Sequence, residues 1–275
     1  MTSHHLPFAV NCSIMFPDQP VLGRAQAAAD AGFTAVEFWW PFPTATPTSV
    51  EVDAFVSSIE RAGVRLVGLN FFAGDMPGGD RGVVSWPGRE SEFRSSVAIA
   101  TEIGARLGTG VFNALYGNRV EGATPERQDE LAVDNLLTAA AAAKQIDATV
   151  VLEPVSGSEH YPLRTARDAV AVIERVEDAG ASGGIGLLAD FYHLAVNGDD
   201  VEAAIARDAD RISHVQIADA PGRGEPGTGH LPLDDWLGAV EKAGYDGYVG
   251  LEYKPSSPEQ AFEWLPNGRR PAAAR

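Results

Sequence analysis

Two stretches of the chain, TVVLEP at residues 149–154 and YVGLEYKP at residues 248–255, end in the same way. In each, a short apolar run typical of a buried strand stops at a glutamate, Glu153 in the first and Glu252 in the second. Parallel α/β barrels carry their chemistry on residues at the carboxyl ends of their strands. The two motifs therefore indicate a repeated strand-and-helix architecture with functional groups at one end.

Outward from these motifs, short apolar runs alternate with longer helical patterns along the whole chain. The eight predicted strands are FAVNCS, TAVEFWW, VRLVGLNF, GTGVFNAL, ATVVLE, GIGLLAD, RISHVQIAD and GYVGLE. The seven predicted helices are LGRAQAAADAG, VEVDAFVSSIERAG, SEFRSSVAIATEIGA, PERQDELAVDNLLTAAAAAKQI, RTARDAVAVIERVEDAG, VEAAIARDAD and PLDDWLGAVEKAG. Several of them end in glycine, which is the usual residue after a helix.

This alternation predicts βαβ units and a parallel sheet. Eight units over about 250 residues is the usual size of a (β/α)8 barrel, the TIM-barrel architecture. A doubly wound sheet is the alternative, but it usually needs fewer strands for this length. We expect one α/β domain over residues 1–265, followed by a frayed tail, PNGRRPAAAR, at residues 266–275.

Two glycine-rich segments are too long for simple turns between a strand and a helix. They follow the third and the seventh predicted strands, at residues 71–90 and 220–233. Both lie at the same end of the predicted barrel, and connections of this length are often binding loops. Their glycines permit movement of the segment Gly74 to Arg89 without requiring it.

The composition limits the classes of partner. The chain has 275 residues and a formal net charge of −17, from 38 acids against 21 bases. A field of that sign repels phosphate backbones and anionic lipids, so we expect no nucleic-acid and no membrane partner. A single cysteine, Cys12, and a start without a signal peptide suit the cytoplasm. Homo-oligomerisation stays open.

Four consecutive predicted strands, the fifth to the eighth, end in an oxygen-bearing side chain. These residues are Glu153, Asp190, Gln216 and Glu252. In a barrel, neighbouring strand ends direct such groups to one point, where buried carboxylates repel one another unless a cation is bound. Oxygen donors without thiolates favour Mg²⁺ or Mn²⁺. The alternative is that each acid merely caps the helix that follows it.

Other polar residues near the strand ends are candidates for substrate contact or support. His193 follows Asp190 by three residues, and Asn70 ends the third strand. His214 is expected to support the site from one layer lower. Asn11 and Glu37 end the first and second strands and either line the pocket or cap turns. Four aromatic residues are expected to wall the cavity, unless they only pack: Trp39, Trp40, Phe71 and Phe72.

No nucleotide cofactor is expected. The glycine-rich stretch AGASGGIG at residues 179–186 precedes a strand, whereas a dinucleotide-binding fingerprint follows one and opens a helix. The serines have no nucleophile-elbow context, and Cys12 has no signalled partner.

Several of these blocks resemble the hydroxypyruvate isomerases, a family of xylose isomerase-like barrels. The blocks are NCSIMF, AVEFWWPF, GDMPGGDRG, LEPVSG, ADFYH, HVQIAD, GRGEPGTG and LEYKP, between about Ala9 and Pro255. The resemblance implies a (β/α)8 barrel that interconverts hydroxypyruvate and tartronate semialdehyde (2-hydroxy-3-oxopropanoate) through a cis-enediolate. It also implies that Glu153 and Glu252 are the proton donors and acceptors.

By similarity to the wider group, Glu153, Asp190, Gln216 and Glu252 hold the divalent metal. In related ketose epimerases the position of Gln216 is a histidine, which leaves the identity of the metal open. His193 and Arg223 match positions that contact substrate in those epimerases. A substrate carboxylate needs a cation, and Lys254, Arg223, Arg81 and Arg89 lie near the predicted strand ends.

Three other functions compete with this one. An isomerase or epimerase of a larger sugar acid or ketose, such as a 2-oxo-tetronate isomerase, would use the same proton transfer. A DNA-repair endonuclease of the same superfamily would need a histidine-rich metal site and a basic face, against six histidines and −17 here. A sugar-acid sensor without activity would predict a disrupted pair of glutamates.

Overall fold

A computed structural model describes residues 4–257 and 260–265. Its strands form one closed barrel in which each strand pairs with the next, and the eighth pairs with the first. The strands are β1 Phe8–Asn11, β2 Ala35–Phe38, β3 Arg65–Asn70, β4 Val111–Asn113, β5 Thr149–Leu152, β6 Ile185–Asp190, β7 Ile212–Ile217 and β8 Val249–Leu251. All pairings are parallel. The (β/α)8 barrel is confirmed, and the doubly wound sheet is excluded.

Helices surround the barrel and connect its strands. They are α1 Cys12–Met15, α2 Val21–Asp30, α3 Ser49–Ala62, α4 Glu90–Leu107, α5 Pro125–Lys144, α6 Ala166–Asp178, α7 Phe191–Val196, α8 Val201–Asp208 and α9 Leu233–Lys242. A 3₁₀ turn, Ala209–Arg211, leads into β7. The seven predicted helices are all present, within a few residues of the predicted ends.

Two short helices, α1 and α7, were not predicted. The predicted first strand FAVNCS is too long, because β1 ends at Asn11 and the chain turns at once into α1. The side chain of Asn11 caps that turn by accepting a hydrogen bond from the backbone N–H of Ser13 at 3.1 Å. Asp190 caps α7 in the same way, through the backbone N–H of His193 at 3.1 Å.

Local chemistry explains where the longer helices begin and end. Thr48 and Thr165 start α3 and α6 with capping boxes that satisfy otherwise unpaired backbone N–H groups. The predicted glycine end of α3 is confirmed at Gly63, with φ of 67°, and α4 continues past its predicted end at Ala105 to stop at Gly108, with φ of 71°. Only glycine adopts this left-handed backbone without a steric penalty.

The core lies between the barrel and the buried faces of the helices. Helix α4 comes so close to the sheet at Gly104 that a Cβ there would lie 2.5 Å from Phe112 Cζ. Phe112 in turn stacks on Phe71, with ring centroids 5.4 Å apart.

Within residues 4–257 and 260–265, every helix is too short or too polar to traverse a lipid bilayer. The barrel spans this part of the chain as one unit. The predicted tail at residues 266–275 lies outside the described residues.

Candidate active site

All eight strands bring a polar side chain to the carboxyl end of the barrel. In chain order these residues are Asn11, Glu37, Asn70, Asn113, Glu153, Asp190, Gln216 and Glu252. Strand register sets several of them side by side, as with Asp190 and Gln216 on β6 and β7. The register also pairs Asn70 with Asn113 on β3 and β4. Sequence reasoning did not single out Asn113, although it ends the fourth strand as the others end theirs.

A cavity of ≈ 850 Å³ opens above this end of the barrel. Asn70 lines it, as predicted, together with Trp39, Trp40 and Phe72. The prediction that Phe71 walls the cavity is wrong, because successive side chains of an extended segment point to opposite sides. Phe71 is buried in the core, 1% exposed.

Four buried side chains form a cluster at the floor of the cavity. Glu153, Asp190, His193 and Glu252 each offer one ligand atom, and these atoms all lie within 4.8 Å of one another. None of the four residues is more than 5% exposed. The structure therefore brings together the two predicted glutamates, the predicted aspartate and the histidine that follows it.

The fit of this site to a cation is tested by its buried oxygens that accept no hydrogen bond. Asp190 Oδ2 and Gln216 Oε1 are buried and accept no hydrogen bond from the described residues, and Asn113 Oδ1 shares this property. A buried acceptor without a partner costs free energy. A hard divalent ion bound by oxygens would satisfy such atoms, so the donor set fits Mg²⁺ or Mn²⁺. That the ion is held by Glu153, Asp190, Gln216 and Glu252 stays a prediction.

Each glutamate is held by an amide from a neighbouring strand. Asn113 Nδ2 donates to Glu153 Oε2 at 2.6 Å. Asn11 Nδ2 donates to Glu252 Oε1 at 2.9 Å, and Trp39 Nε1 donates to the same oxygen at 2.7 Å. These contacts leave Glu153 Oε1 and Glu252 Oε2 for other partners. Both carboxylates are thus fixed in orientation before any substrate binds.

The two glutamates are also shifted toward their protonated forms. Burial raises the pKa of Glu153 well above its usual range, and the charges of Glu252 and Asp190 raise it further. Burial likewise raises the pKa of Glu252, although the nearby guanidinium of Arg223 opposes the shift. Closely spaced carboxyl groups of this kind can exist as one acid and one base at neutral pH.

The tautomer of His193 is set by its neighbour. The backbone N–H of Ser156 donates to His193 Nδ1 at 3.1 Å, so the proton of the neutral ring resides on Nε2. His193 Nε2 lies 3.7 Å from Glu153 Oε1 and 3.6 Å from Asp190 Oδ2. Burial lowers the pKa of His193 to about 4. The ring is therefore a neutral N–H donor that faces the cluster.

The predicted basic residues differ in their surroundings. Arg223, on the loop after β7, forms ion pairs with Glu252 and, at 3.5 Å, with Asp190 Oδ2. Lys254 is exposed at the rim of the cavity, where its backbone N–H donates to Arg223 O at 2.7 Å. Arg81 and Arg89 also line the cavity, but Arg89 already pairs with Asp80 and Glu92.

Comparison with known proteins agrees with the fold and with the sequence motifs. A family model described as a xylose isomerase-like TIM barrel matches residues 25–268. A protein of Streptomyces coelicolor named "Putative hydroxypyruvate isomerase" is 52% identical, with 96% of this chain and 97% of that protein covered. The hydroxypyruvate isomerase of Escherichia coli is 32% identical over 94% of this chain and 98% of its own length.

Two further relatives carry different names. The 2-oxo-tetronate isomerase of Cupriavidus necator is 32% identical, with 94% of this chain and 96% of that protein covered. A crystal structure from Brucella melitensis, described as an AP endonuclease of family 2, has a TM-score of 0.83. It is 31% identical and covers 95% of this chain and 98% of its own.

A closed barrel of eight parallel strands with acids at their carboxyl ends defines the class of TIM-barrel enzymes. Within that class, the chain belongs to the xylose isomerase-like TIM barrel family. The resemblance to the hydroxypyruvate isomerases is confirmed, and the chain is an enzyme of the isomerase kind.

Proposed function

We propose that this enzyme interconverts hydroxypyruvate and 2-hydroxy-3-oxopropanoate by proton transfer through a cis-enediolate. The observation that carries the proposal is the pair of buried glutamates, Glu153 and Glu252, at the floor of the cavity. Their ligand atoms lie within 4.8 Å of each other and of those of Asp190 and His193. The names of the relatives in Streptomyces coelicolor and Escherichia coli support the choice of substrate.

The reaction breaks one C–H bond and forms another. One glutamate, as the carboxylate, removes a proton from the hydroxyl-bearing carbon next to the carbonyl, and the electron pair moves into the enediolate. The second glutamate, as the acid, returns a proton to the former carbonyl carbon, and the hydroxyl proton moves between the two substrate oxygens. A general acid or base contributes about 10²–10⁴-fold to the rate. The raised pKa values of both glutamates support the presence of one protonated partner.

Other residues would bind and orient the substrate. His193 would donate its Nε2–H to a substrate oxygen, since its Nδ1 is occupied by the N–H of Ser156. Arg223 and Lys254 would hold the substrate carboxylate, and Asn70 lines the cavity wall. Charge-assisted contacts of this kind are about twice as strong as neutral ones.

Glu153, Asp190, Gln216 and Glu252 would hold a Mg²⁺ or Mn²⁺ ion in the same place. When bound, such an ion supplies electrostatic stabilisation of the negative charge that develops on the enediolate. Asp190 Oδ2 and Gln216 Oε1, which are buried and accept no hydrogen bond from the described residues, support this assignment.

The second candidate is isomerisation of a larger acid, such as a 2-oxo-tetronate. A cavity of ≈ 850 Å³ has room for more than three carbons, and the relative in Cupriavidus necator carries that name. An endonuclease activity is disfavoured by the net charge of −17, because DNA backbones are repelled by such a field. The cluster also contains only one histidine among the described residues.

The test is a proton NMR assay in deuterated buffer with Mg²⁺, run in parallel on hydroxypyruvate, a 2-oxo-tetronate and the neutral ketose fructose. We expect hydroxypyruvate to react with the highest kcat/KM and its product to gain deuterium at C2. Higher kcat/KM for the 2-oxo-tetronate would select the second candidate. Preference for fructose, or turnover without deuterium at the new C–H bond, would overturn the proposal.

A further inference from the structure

One buried acid at the carboxyl end of the barrel has no part in the proton transfer described above. Glu37, on β2, is only 3% exposed and lies beneath the cluster at the cavity floor. Burial of a carboxylate costs several kcal/mol unless its oxygens are fully hydrogen-bonded. A fourth acid below three others therefore needs a physical reason.

Glu37 is the centre of a hydrogen-bond network inside the barrel. Its Oε1 accepts from Gln216 Nε2 at 2.6 Å and from Asn11 Nδ2 at 3.0 Å. Its Oε2 lies 2.6 Å from His214 Nε2. His214, which was predicted to support the site, therefore contacts Glu37. Contacts from β1 and β7 converge on this single carboxylate.

Glycines on two other strands, β3 and β8, leave space for this carboxylate. A Cβ added at Gly250, on β8, would lie 2.6 Å from Glu37 Oε1 and 2.7 Å from Oε2. On the other side, a Cβ at Gly68 of β3 would lie 3.3 Å from Glu37 Cβ. Distances below 3.0 Å do not occur for real side chains, so a side chain at position 250 would displace the carboxylate. The site is shaped around Glu37.

The contact with Gln216 decides which end of its amide faces Glu37 and which end points away from it. A carboxylate accepts hydrogen bonds and donates none, so it must bind the NH₂ end of the amide. The opposite end, Oε1, is buried and without a partner among the described residues. An amide turned by 180° would bring its oxygen against the oxygen of Glu37. Glu37 thereby keeps an oxygen, and not an NH₂ group, available to a cation.

Glu37 also acts on one of the two glutamates through Asn11. Asn11 Oδ1 caps α1, which directs its Nδ2 into the barrel. That NH₂ group is shared between Glu37 Oε1 and Glu252 Oε1, at 3.0 Å and 2.9 Å. The position of Glu252 is therefore coupled to that of Glu37 by one intervening amide.

We propose that Glu37 is a positioning residue, which orients the Gln216 oxygen for the cation and braces Glu252 through Asn11. The proposal rests on the cation site of the proposed function and extends it to a residue outside the ligand set. Partners that orient metal ligands typically change metal affinity about 10–100-fold when they are removed.

The experiment measures Mn²⁺ binding to the metal-free protein by isothermal titration calorimetry, without substrate. Glu37→Leu removes both acceptor oxygens at similar size, and we expect Mn²⁺ affinity to fall about tenfold or more. Glu37→Gln keeps one acceptor oxygen and should recover part of that affinity. Asp208→Asn is the matched control, a buried acid on α8 that pairs with Arg207. Its affinity for Mn²⁺ should equal that of the native chain.

A double-mutant cycle shows whether Glu37 acts through Gln216. In a Gln216→Leu background, the further loss of Mn²⁺ affinity caused by Glu37→Leu should shrink, because the amide to be oriented is gone and only the contact with Glu252 through Asn11 remains. If Glu37→Leu does not fold, Glu37→Gln is carried through the same cycle, and its smaller loss of Mn²⁺ affinity should shrink likewise. A folded Glu37 variant with native Mn²⁺ affinity would refute the proposal.

Two further outcomes would also refute the proposal. In the first, Glu37→Leu lowers Mn²⁺ affinity by the same factor in the native and the Gln216→Leu backgrounds. In the second, the native chain binds no Mn²⁺. Because no substrate is present, inactivity toward hydroxypyruvate would leave this result unaffected. The failure of the two proposals can therefore be told apart.

Discussion

Asparagine amides from strands on different sides of the barrel orient the two glutamates, together with the indole of Trp39 at Glu252. Asn113 on β4 binds Glu153, and Asn11 on β1 binds Glu252. Glu153 therefore keeps Oε1 directed toward His193, whereas Glu252 Oε2 pairs with the guanidinium of Arg223. A carboxylate held in this way reacts from one geometry, which is how fixed groups lower the barrier to proton transfer.

The first prediction concerns these glutamates. Glu153→Gln and Glu252→Gln should each lower kcat by at least about 10²-fold, because each removes a general acid or base. The amide has nearly the same size, so the far-ultraviolet circular dichroism spectrum should stay native. Steady-state kinetics with hydroxypyruvate and Mg²⁺ gives the measurement. Native kcat in either variant would contradict the assignment.

A second prediction concerns Lys254 at the rim of the cavity. If its ammonium holds the substrate carboxylate, Lys254→Met should raise KM for hydroxypyruvate about tenfold, since a charged hydrogen bond contributes about 1.5–3 kcal/mol. Any residual turnover of a neutral ketose should barely change. Lys242→Met, at the exposed end of α9, is the control and should keep the native KM. Equal KM values in the two variants would remove Lys254 from the binding site.

At the scale of elements, the loop between β7 and α9 is organised by one aspartate. Asp219 is 1% exposed, and its oxygens accept from four backbone N–H groups of that loop. Glu225 fixes the loop to the segment after β8 by accepting from Ser256 Oγ at 2.8 Å. Arg223 lies between these two anchors, with φ of 59°. The loop thus presents the guanidinium on a rigid support.

The third prediction concerns how the contribution of Asp219 to the stability of the protein depends on pH. Burial alone would raise the pKa of Asp219, but its backbone N–H donors outweigh burial and hold the pKa below its usual value. A lowered folded-state pKa stabilises the protein above the ordinary pKa, and this contribution is lost as the pH falls. Asp219→Asn should therefore lower the free energy of unfolding by about 2 kcal/mol at pH 7.

The difference in free energy of unfolding between Asp219→Asn and the native chain should narrow as the pH falls below about 4, because the unfolded aspartate takes up a proton there before the native one does. Urea unfolding at pH 7 and at about pH 3 measures it. Asp208→Asn serves as the comparison outside the loop. If the difference in free energy of unfolding between the two chains is independent of pH, the charge of Asp219 does not hold the loop.

The same elements show what a sequence can and cannot predict. Strand β5 ends at Leu152, directly before Glu153, as its apolar pattern indicated, because burial on both faces demands a continuous apolar run. Helix α7 was not predicted, since six residues are too few for a helical period to be visible. Its start nevertheless depends on Asp190, for which capping of the following helix was the alternative to metal binding.

Contacts across the barrel were the other part that sequence reasoning missed. The pattern marks a position such as Asn113 as a strand end, but its partner Glu153 is 40 residues away. The role of Glu37 depends on glycine at positions 68 and 250, on two other strands. Such contacts depend on strand register and the shape of the closed barrel, which local periodicity does not encode.

For the whole molecule, the cluster places three acids in one buried volume of a chain that already carries −17. The repulsion among them opposes folding, and Arg223 offsets part of it. A divalent cation would offset it further, so binding and stability are linked. Any ligand that binds only the folded state stabilises it by mass action.

The fourth prediction follows from that linkage. Mn²⁺ at a hundred times its dissociation constant should stabilise the folded chain by about 2.7 kcal/mol and raise its melting temperature by several degrees. Chelation should reverse the shift and lower turnover, and Mg²⁺ or Mn²⁺ should restore both. Differential scanning calorimetry measures the shift. Asp190→Asn, which removes one acid of the cluster, should respond far less, and a metal-independent melting temperature in the native chain would contradict the cation site.

The closing pair of the barrel, β8 against β1, bears on how the enzyme is made. A ribosome releases the chain from its amino end, so β1 waits with an unpaired edge until β8 has been synthesised. Open strand edges invite aggregation, and a nascent chain of this kind is a natural client of chaperones. Glu252 is synthesised directly after β8, so the second glutamate of the proposed pair is added together with the strand that closes the barrel. Under the proposed mechanism, a product truncated before that point has neither a closed fold nor activity.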